Sequence, residues 1–559
     1  MPKAIKRCFD LSFPLEELHP NERIKYESRF LRGTLKESLQ DRVTAGLPSE
    51  PDRQLIKFHG IYQERDRDQD QERRRKRLEP AYEFMLRVRL PGGVCTPKQW
   101  LKLDEIATTW GNGTLRLTTR ETFQIHGILK WNLKRVIQAL QTVELDSIAA
   151  CGDVNRNVIA TSHPFRSPRH RELYELAASI SRRLLPRTGA YFEIWLDRER
   201  LAGGRDEEPI YGPTYLPRKF KIALALPPDN DVDLFAQDLG FIAICQGSEI
   251  VGYNVAVGGG MGQSYDREDT YPRLADVIGF VPKDRALDVA EKVVTIQRDY
   301  GNRKDRQRAR LKYTIDTHGL DWFVEELERR LGFPLGEPRP FEFRSRRDPF
   351  GWEVCGELCH YTLYIDAGRI GGELLDGLRE IAEIHRGYFC VTPNQNLVIA
   401  AIPPEERPRI EAAIAKHRLD RLNQVLPARQ VSIACVALPT CNLAMAEAER
   451  YFPAFMERLE ARLRQTGLER EEITVRITGC PNGCARPYVA EIALTGRAPG
   501  KYNLYLGGDG VGRRLAKLYL ENVGEAEILQ ALGQILQRYA EERLPGERFG
   551  DFLIRRKIV

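Results

Sequence analysis

Four cysteines in two pairs carry the densest chemistry of the chain: Cys435 with Cys441, and Cys480 with Cys484, written Cys-x5-Cys, a spacer of thirty-eight residues, then Cys-x3-Cys. The second pair lies in Thr478-Gly479-Cys480-Pro481-Asn482-Gly483-Cys484-Ala485-Arg486-Pro487, where Pro481, Asn482 and Gly483 make a tight turn that holds both thiolates on one side of the loop. Four thiolates from two loops suit an iron–sulfur cubane, whose irons each take one protein sulfur, and turn-exposed N–H groups can hydrogen-bond its sulfides. A structural zinc draws on Cys-x2-Cys knuckles and fits x5 and x3 spacings poorly, and four unliganded buried thiols are the remaining alternative. The spacing points to a 4Fe-4S site in a reducing compartment.

A second candidate set is cationic. Arg87 and Arg89 alternate in Leu86-Arg87-Val88-Arg89-Leu90, Arg156 lies in Val154-Asn155-Arg156-Asn157-Val158, and Lys219 and Lys221 are two apart in Pro217-Arg218-Lys219-Phe220-Lys221, so both lysines can face one side of an extended segment. A small oxyanion reduced at a metal needs such groups to hold it and to favour loss of its oxygens as water. Taken singly, each is an ordinary surface cation. Cys355 and Cys359 repeat the x3 spacing but lack the Pro-Asn-Gly turn and lead into the alternating run Tyr361 to Ile365, which makes them a decoy. The clusters Gly258-Gly259-Gly260 and Gly508-x-Gly510-x-Gly512 open no dinucleotide-binding βαβ unit and read as places where backbone passes close to a planar cofactor or another strand.

The elements that position these residues are duplicated. A strand from Met85 to Leu90, the turn Pro91-Gly92-Gly93, a helix from Pro97 to about Trp110 and the run Thr114 to Ile128 return as Tyr361 to Ile365, a turn at Gly368, a helix from Glu373 to His385 and the run Tyr388 to Ile402. Leu103-Asp104-Glu105-Ile106-Ala107 matches Leu378-Arg379-Glu380-Ile381-Ala382, and Thr118 matches Thr392. Further on, Tyr253-Asn254 matches Tyr502-Asn503, and Lys221-Ile222-Ala223-Leu224 matches Glu491-Ile492-Ala493-Leu494. The pairing sets the Lys219 segment of one copy opposite the Cys480–Cys484 loop of the other, so one half brings metal and the other positive charge.

The two cysteine loops resemble, closely and in order, those of the siroheme-dependent sulfite and nitrite reductases, and the resemblance covers residues 20 to 555. It implies that Cys435, Cys441, Cys480 and Cys484 hold the cluster and that Cys484 also bridges it to the iron of a siroheme. By the same resemblance Arg87, Arg156, Lys219 and Lys221 surround the substrate, the lysines serving as proton donors as well as anchors. Arg116, Arg120, Gln124 and His126, in Leu115-Arg116-Leu117-Thr118-Thr119-Arg120-Glu121-Thr122-Phe123-Gln124-Ile125-His126, are expected at the tetrapyrrole with Arg218 and Asn482. Arg310 joins them at a place where the family carries lysine. His126 reads equally as a satisfied core histidine. Lys221 stands where the nitrite enzymes carry asparagine, and an extra cation favours a dianion, so sulfite is the expected substrate and nitrite the alternative.

The resemblance also implies an α+β fold, internally duplicated with pseudo-twofold symmetry, in three mixed α/β domains: 81–147 with 348–424 as paired ferredoxin-like half-domains, 148–347 carrying the anion-binding lysines, and 425–559 carrying the cluster. Both copies are present and no Cys-x2-Cys-x2-Cys run occurs, which favours an assimilatory sulfite reductase, a six-electron enzyme, over the dissimilatory branch. No flavin or pyridine-nucleotide domain fits in the chain, so electrons must come from a separate protein, an NADPH flavoprotein alpha subunit or a ferredoxin. A non-catalytic iron–sulfur protein is the reading from a different class; it would need the cysteines but not the cations.

With 559 residues, 42% hydrophobic and 29% charged, the chain has material for two to four domains. Its 11 cysteines are odd in number, its net charge is only +6, and no apolar run nears the roughly 18 residues of a membrane span. A cytoplasmic protein outside the membrane is expected. Residues 1–80 read as a charged arm, helical from Ile24 to Arg32 and almost wholly charged or amide from Gln63 to Arg77, hence a mobile or surface segment. Its Arg73-Arg74-Arg75-Lys76-Arg77 run is diluted by acids and has no interleaved aromatics, so nucleic acid is not an expected partner.

Overall fold

The computed structural model describes residues 14–188, 190, 194–196, 199–202 and 208–559. Its architecture follows from the duplication. One five-stranded sheet runs in the order Ile61–Arg65, Tyr82–Arg87, Phe123–Ile128, Thr114–Leu117, Arg369–Gly371. A second runs Gly351–Cys355, Leu358–Leu363, Leu397–Ile402, Tyr388–Val391, Val94–Cys95. The last strand of each belongs to the other copy: Arg369–Gly371 pairs with Thr114–Leu117, and Val94–Cys95 with Tyr388–Val391. The two halves are therefore tied by a reciprocal exchange of strands, each leading directly into its own copy's helix.

Those helices are Pro97–Trp110 and Gly372–Ile384. The first starts at Pro97 because Thr96 and Gln99 cap each other reciprocally and proline at the first position gives up no needed N–H. The repeated Leu-x-x-Ile-Ala pattern is its apolar stripe: Leu103, Ile106, Ala107 and Leu378, Ile381, Ala382 are all buried in one core. Arg379 bridges the helices, its Nε 2.5 Å and Nη2 2.9 Å from the carboxylate of buried Asp104.

The larger elements repeat as well. Ile159–Ala160, Ile222–Ala225, Leu239–Gln246, Glu249–Val257 and Asp276–Pro282 form one sheet; Ile433–Ala434, Val475–Thr478, Ile492–Ala498, Lys501–Leu506 and Lys517–Val523 form the other. In both, the first two neighbouring pairs are parallel and the last two antiparallel. The glycine clusters mark close backbone passages rather than nucleotide loops. A Cβ on Gly259 would stand 2.2 Å from the Phe235 carbonyl oxygen, and one on Gly508 2.3 Å from that of Ala490.

The amino-terminal segment corrects the sequence reading. Among its described residues the helix is Pro20–Glu27, not Ile24 to Arg32, because Arg29, Phe30 and Leu31 all take positive φ. Leu31, Leu47, Leu55, Ile56 and Phe58 enter the main core, and Ile61–Arg65 adds an antiparallel edge strand to Tyr82–Arg87. The charges are absorbed by pairing: buried Lys25 donates to Glu22 at 2.5 Å and to the Leu216 carbonyl at 2.6 Å. The strand predicted at Met85 to Leu90 is Tyr82–Arg87, which leaves Arg89 beyond it in an ion pair with Asp146. Cys355 and Cys359 face each other's strand in a hairpin closed at Gly356. No helix among the described residues is long and apolar enough to cross a membrane.

Candidate functional site

Cys435 follows the strand Ile433–Ala434 and Cys480 follows its parallel neighbour Val475–Thr478, so both loops leave the same edge of the sheet. Gly479 joins the loops: its carbonyl accepts from Met445 N at 2.8 Å and Ala446 N at 3.1 Å, and a Cβ there would meet Ala437 at 2.5 Å. Cys435 Sγ accepts from Gly479 N at 3.3 Å and from the Thr478 hydroxyl at 3.5 Å; Cys480 Sγ accepts from Asn482 Nδ2 at 3.6 Å. Burial and then the neighbouring Cys484 push the Cys435 thiol up to about 11 and the Cys480 thiol up to about 12, and raise Cys441 likewise. Cys435, Cys441 and Cys480 thus each feel Cys484, and these three would ionise readily only beside a cationic group. Among the described residues no three His, Cys, Asp or Glu side chains are grouped as a single ion would need. Four cysteines that share one electrostatic neighbourhood, with N–H groups aimed at Cys435 and Cys480, are a donor set that suits a cubane, whose irons each take one protein sulfur.

Cys484 differs from its three partners in being exposed. The space it opens into is bounded by cations of the other copy. Lys219 and Lys221 lie deep in the protein yet keep accessible surface, as side chains lining an internal cleft do. Neither ammonium has a hydrogen-bond or ion-pair partner among the described residues. Burial, then the Arg218 charge, lowers Lys219 to about 7, while Cys484 pulls the other way. Lys221 falls well below its ordinary value through burial and then Lys219, Arg310 and Arg120.

Arg156 donates through Nε to the Gly152 carbonyl at 2.9 Å and through Nη1 to that of Ala150 at 3.2 Å. Arg87 Nη1 leans on the same Ala150 carbonyl at 3.4 Å and on Cys151 Sγ at 2.9 Å. With its amide oxygen turned toward Arg87, Gln124 accepts from Nε at 3.3 Å and Nη2 at 2.5 Å. Arg87 feels Cys484 too, which places it in the same cluster of charge. Arg218 is lowered to about 10 by burial and then Arg306.

The remaining expected contacts are committed to protein partners. Arg120 donates to Gln237 Oε1 and the Ile222 carbonyl, both at 2.8 Å, and to the Asn157 carbonyl. Buried Arg116 pairs with Glu449 at 2.6 Å and with the Ala434 carbonyl at 2.8 Å, beside the cluster loop. His126 is a buried core histidine, its Nδ1 3.0 Å from Glu64 Oε2, and burial drives it well below its ordinary value. Arg310 forks onto Asp238 at 3.0 and 2.7 Å, and Asp238 also accepts the backbone N–H of Lys221 at 2.9 Å. The lysine expected at position 310 is thus replaced by a bidentate pair that braces the segment from Lys219 to Lys221.

Several residues escaped the sequence reading. Tyr62 lies with its ring 6.0 Å from the Arg87 guanidinium, on the very segment taken for a mobile arm, where the run Ile61-Tyr62-Gln63-Glu64-Arg65 shows no alternation that would have marked a strand. That segment also clasps the first cysteine loop. Arg67 donates to the Cys441 carbonyl at 3.3 Å and the Ala444 carbonyl at 2.6 Å, and Asn442 Nδ2 donates to the Gln63 carbonyl at 2.9 Å. The second cysteine loop is held from the other copy, by Gln263 N on the Pro481 carbonyl at 3.0 Å and by the Thr119 hydroxyl on the Cys484 carbonyl at 3.3 Å.

The chain is similar to known proteins. The family described as nitrite and sulphite reductase 4Fe-4S domain matches residues 176–335, and the nitrite/sulfite reductase ferredoxin-like half domain matches 76–143 and 355–417. The sulfite reductase (NADPH) hemoprotein beta-component of Geobacillus kaustophilus (strain HTA426) is 56% identical over 547 residues, 96% of this chain and 95% of that protein. Its namesake in Methylocella silvestris is 55% identical over 559 residues, covering 99% and 96%. The solved structure of the Mycobacterium tuberculosis NirA protein superposes with a TM-score of 0.78 at 25% identity, covering 97% of each chain.

Proposed function

The chain belongs to the nitrite and sulphite reductase family, and from that premise we propose that it is the hemoprotein component of an assimilatory sulfite reductase, taking sulfite to sulfide by six electrons. The observation that carries this reading is the meeting of exposed Cys484 with the ammonium groups of Lys219 and Lys221, which have no partner among the described residues, and the guanidiniums of Arg87 and Arg156. Cys435, Cys441, Cys480 and Cys484 would hold the 4Fe-4S cluster, with Cys484 shared between it and a siroheme. Together the bound groups supply an iron for the anion and a store of electrons beside it.

The chain's own residues do the rest. Arg87 and Arg156 are fixed by the Ala150 carbonyl and Gln124 and offer a rigid anion seat; Lys219 and Lys221 are free to follow the substrate. A lysine held near 7 gives up a proton at neutral pH and is recharged from solvent, as successive loss of oxygens as water requires. Asp238 braces Lys221 from behind and Arg310 balances it. Arg120 and Arg218 are the further cations at the cleft wall for a carboxylate-rich tetrapyrrole, with Asn482 on the cluster side; Arg116, Gln124 and His126 support that wall through Glu449, Arg87 and Glu64.

Domains are assigned accordingly as 81–147 with 348–424, 148–347, and 425–559. The donor is a separate NADPH-drawing flavoprotein, a reading favoured by relatives named for NADPH, and the protein acts in the cytoplasm. The purified protein should show siroheme absorption in the Soret and red regions that sulfite perturbs under reducing conditions. Steady-state turnover should give a higher kcat/KM for sulfite than for nitrite. A brown iron–sulfur spectrum unmoved by siroheme reconstitution would leave an electron carrier, and a preference for nitrite would make it a nitrite reductase.

A further inference from the structure

Asp233 is wholly buried in a left-handed turn ahead of Leu234–Ala236, and three guanidiniums converge on its carboxylate. Oδ1 accepts from Arg346 Nη1 at 3.0 Å, and Oδ2 accepts from Arg476 Nη1 and Arg486 Nε, both at 2.5 Å. Arg486 is two residues beyond Cys484. Its other nitrogens donate to the Thr119 carbonyl at 3.1 Å and the Pro393 carbonyl at 3.1 Å. These are the same position in the two copies, each one residue past the matched Thr118 and Thr392, whose turns close alike through Glu121 N on Thr118 O at 3.1 Å and Gln395 N on Thr392 O at 3.0 Å. Arg486 therefore straddles the pseudo-twofold axis, with Asp233 behind it and the Cys484 carbonyl held alongside by the Thr119 hydroxyl.

We propose that Asp233 is a positioning residue for the reaction: through Arg486 it locks both half-domains to the cluster loop and so sets where the Cys484 sulfur stands against the substrate cations. The inference rests on the reading of Cys484 as the ligand shared by cluster and siroheme. The geometry gives its reason. A planar fork can hold one carboxylate and two carbonyls at fixed angles, whereas a lysine's point charge cannot. Removing the carboxylate leaves the three buried guanidiniums without the anion they share, and no other carboxylate among the described residues is hydrogen-bonded to them. The Pro481 end of the turn is held separately by Gln263, so only the Cys484 end is released.

The test compares cofactor-loaded full-length parent with Asp233→Asn, Arg486→Lys and, as a control for the loss of any buried pair, Glu22→Gln, which removes the carboxylate from Lys25 and Arg303. Iron per chain, circular dichroism, the EPR spectrum of the reduced cluster and sulfite kinetics with a small-molecule reductant are measured. Arg486→Lys should keep fold and iron, change the EPR spectrum, and lower kcat at least tenfold with KM within twofold; Asp233→Asn should move the same way. Glu22→Gln should lower thermal stability and leave spectrum and kcat alone. Should Asp233→Asn not fold, Arg486→Lys decides alone. The proposal is overturned by parent-like spectra and kcat in folded Arg486→Lys, or by a Glu22→Gln spectrum shifted as far. A parent without any cluster signal overturns the reading of function, and this inference with it.

Discussion

Lys219 and Lys221, the lysines of the proposed anion site, are costly to the fold. Bringing an ammonium deep into the protein among Arg218, Arg156 and Arg310 disfavours its charge, which is why Lys219 sits near 7. Below that pH the folded state bears the whole cost, and the cost fades as pH rises toward the ordinary lysine value. Lys219→Met should therefore stabilise the protein by about 1–2 kcal/mol at pH 6, seen as a raised Tm, while sulfite turnover is lost; a lowered Tm would mean that the lysine has an anionic partner in solution. In activity the sign reverses, since the charged form that binds the anion is lost above about 7. Because sulfite itself ionises near neutrality, Lys219→Arg is the reference. The ratio of parent to variant kcat/KM should fall as pH rises through that range. The four cysteines and Lys219-x-Lys221 were legible because their chemistry is local: short spacings, a Pro-Asn-Gly turn, an alternating pair. Glu449, Asp238 and Cys151 were not, since each is defined by a partner far off in the chain, as Glu449 is by Arg116 333 positions away.

Elements, too, were readable where a pattern repeats. The helices followed from the shared Leu-x-x-Ile-Ala stripe: Pro97–Trp110 as expected, and Gly372–Ile384 one residue earlier at each end than the expected Glu373 to His385. The strand exchange was not readable, because Val94–Cys95 and Arg369–Gly371 are too short to show a period. The edge strand Ile61–Arg65 was hidden by charge: its Gln63, Glu64 and Arg65 look like solvent-facing residues until Tyr82–Arg87 and the cysteine loop are beside them. That strand and the turn after it give the first cysteine loop its outer wall. Arg67→Ala removes two bonds to the Cys441 and Ala444 carbonyls, a partly exposed contact worth about 1 kcal/mol. Its larger effect should be local. Under anaerobic conditions an iron chelator should strip the variant's cluster several-fold faster than the parent's, with Tm down by only a few degrees. Equal stripping rates would show that the loop is held by its own turn alone.

At the scale of the whole molecule, duplication divides the labour: the second copy brings thiols, the first brings cations, and the axis between them passes beside Cys484 at Arg486. Electrons must reach this centre from outside. The first cysteine loop comes to the surface at Asn442 and Leu443, the latter 64% exposed, directly after Cys441. Flanking it are Arg67 and Asp68, and then the short helix Asp70–Arg75 with exposed Arg74 and Arg75, followed by exposed Lys76 and Arg77. An acidic flavoprotein approaching this corner would be steered by those charges and would arrive beside the loop that carries Cys441. Arg74→Glu with Arg75→Glu and Arg77→Glu should therefore slow NADPH-driven turnover in the reconstituted pair about tenfold at low salt and by less at high salt, where screening already weakens the encounter. Turnover with a small reductant that needs no docking should stay at the parent level, because none of the three arginines reaches the cleft. Loss of both activities would place the defect in the fold, and loss of neither would move the entry point of the electrons to another face.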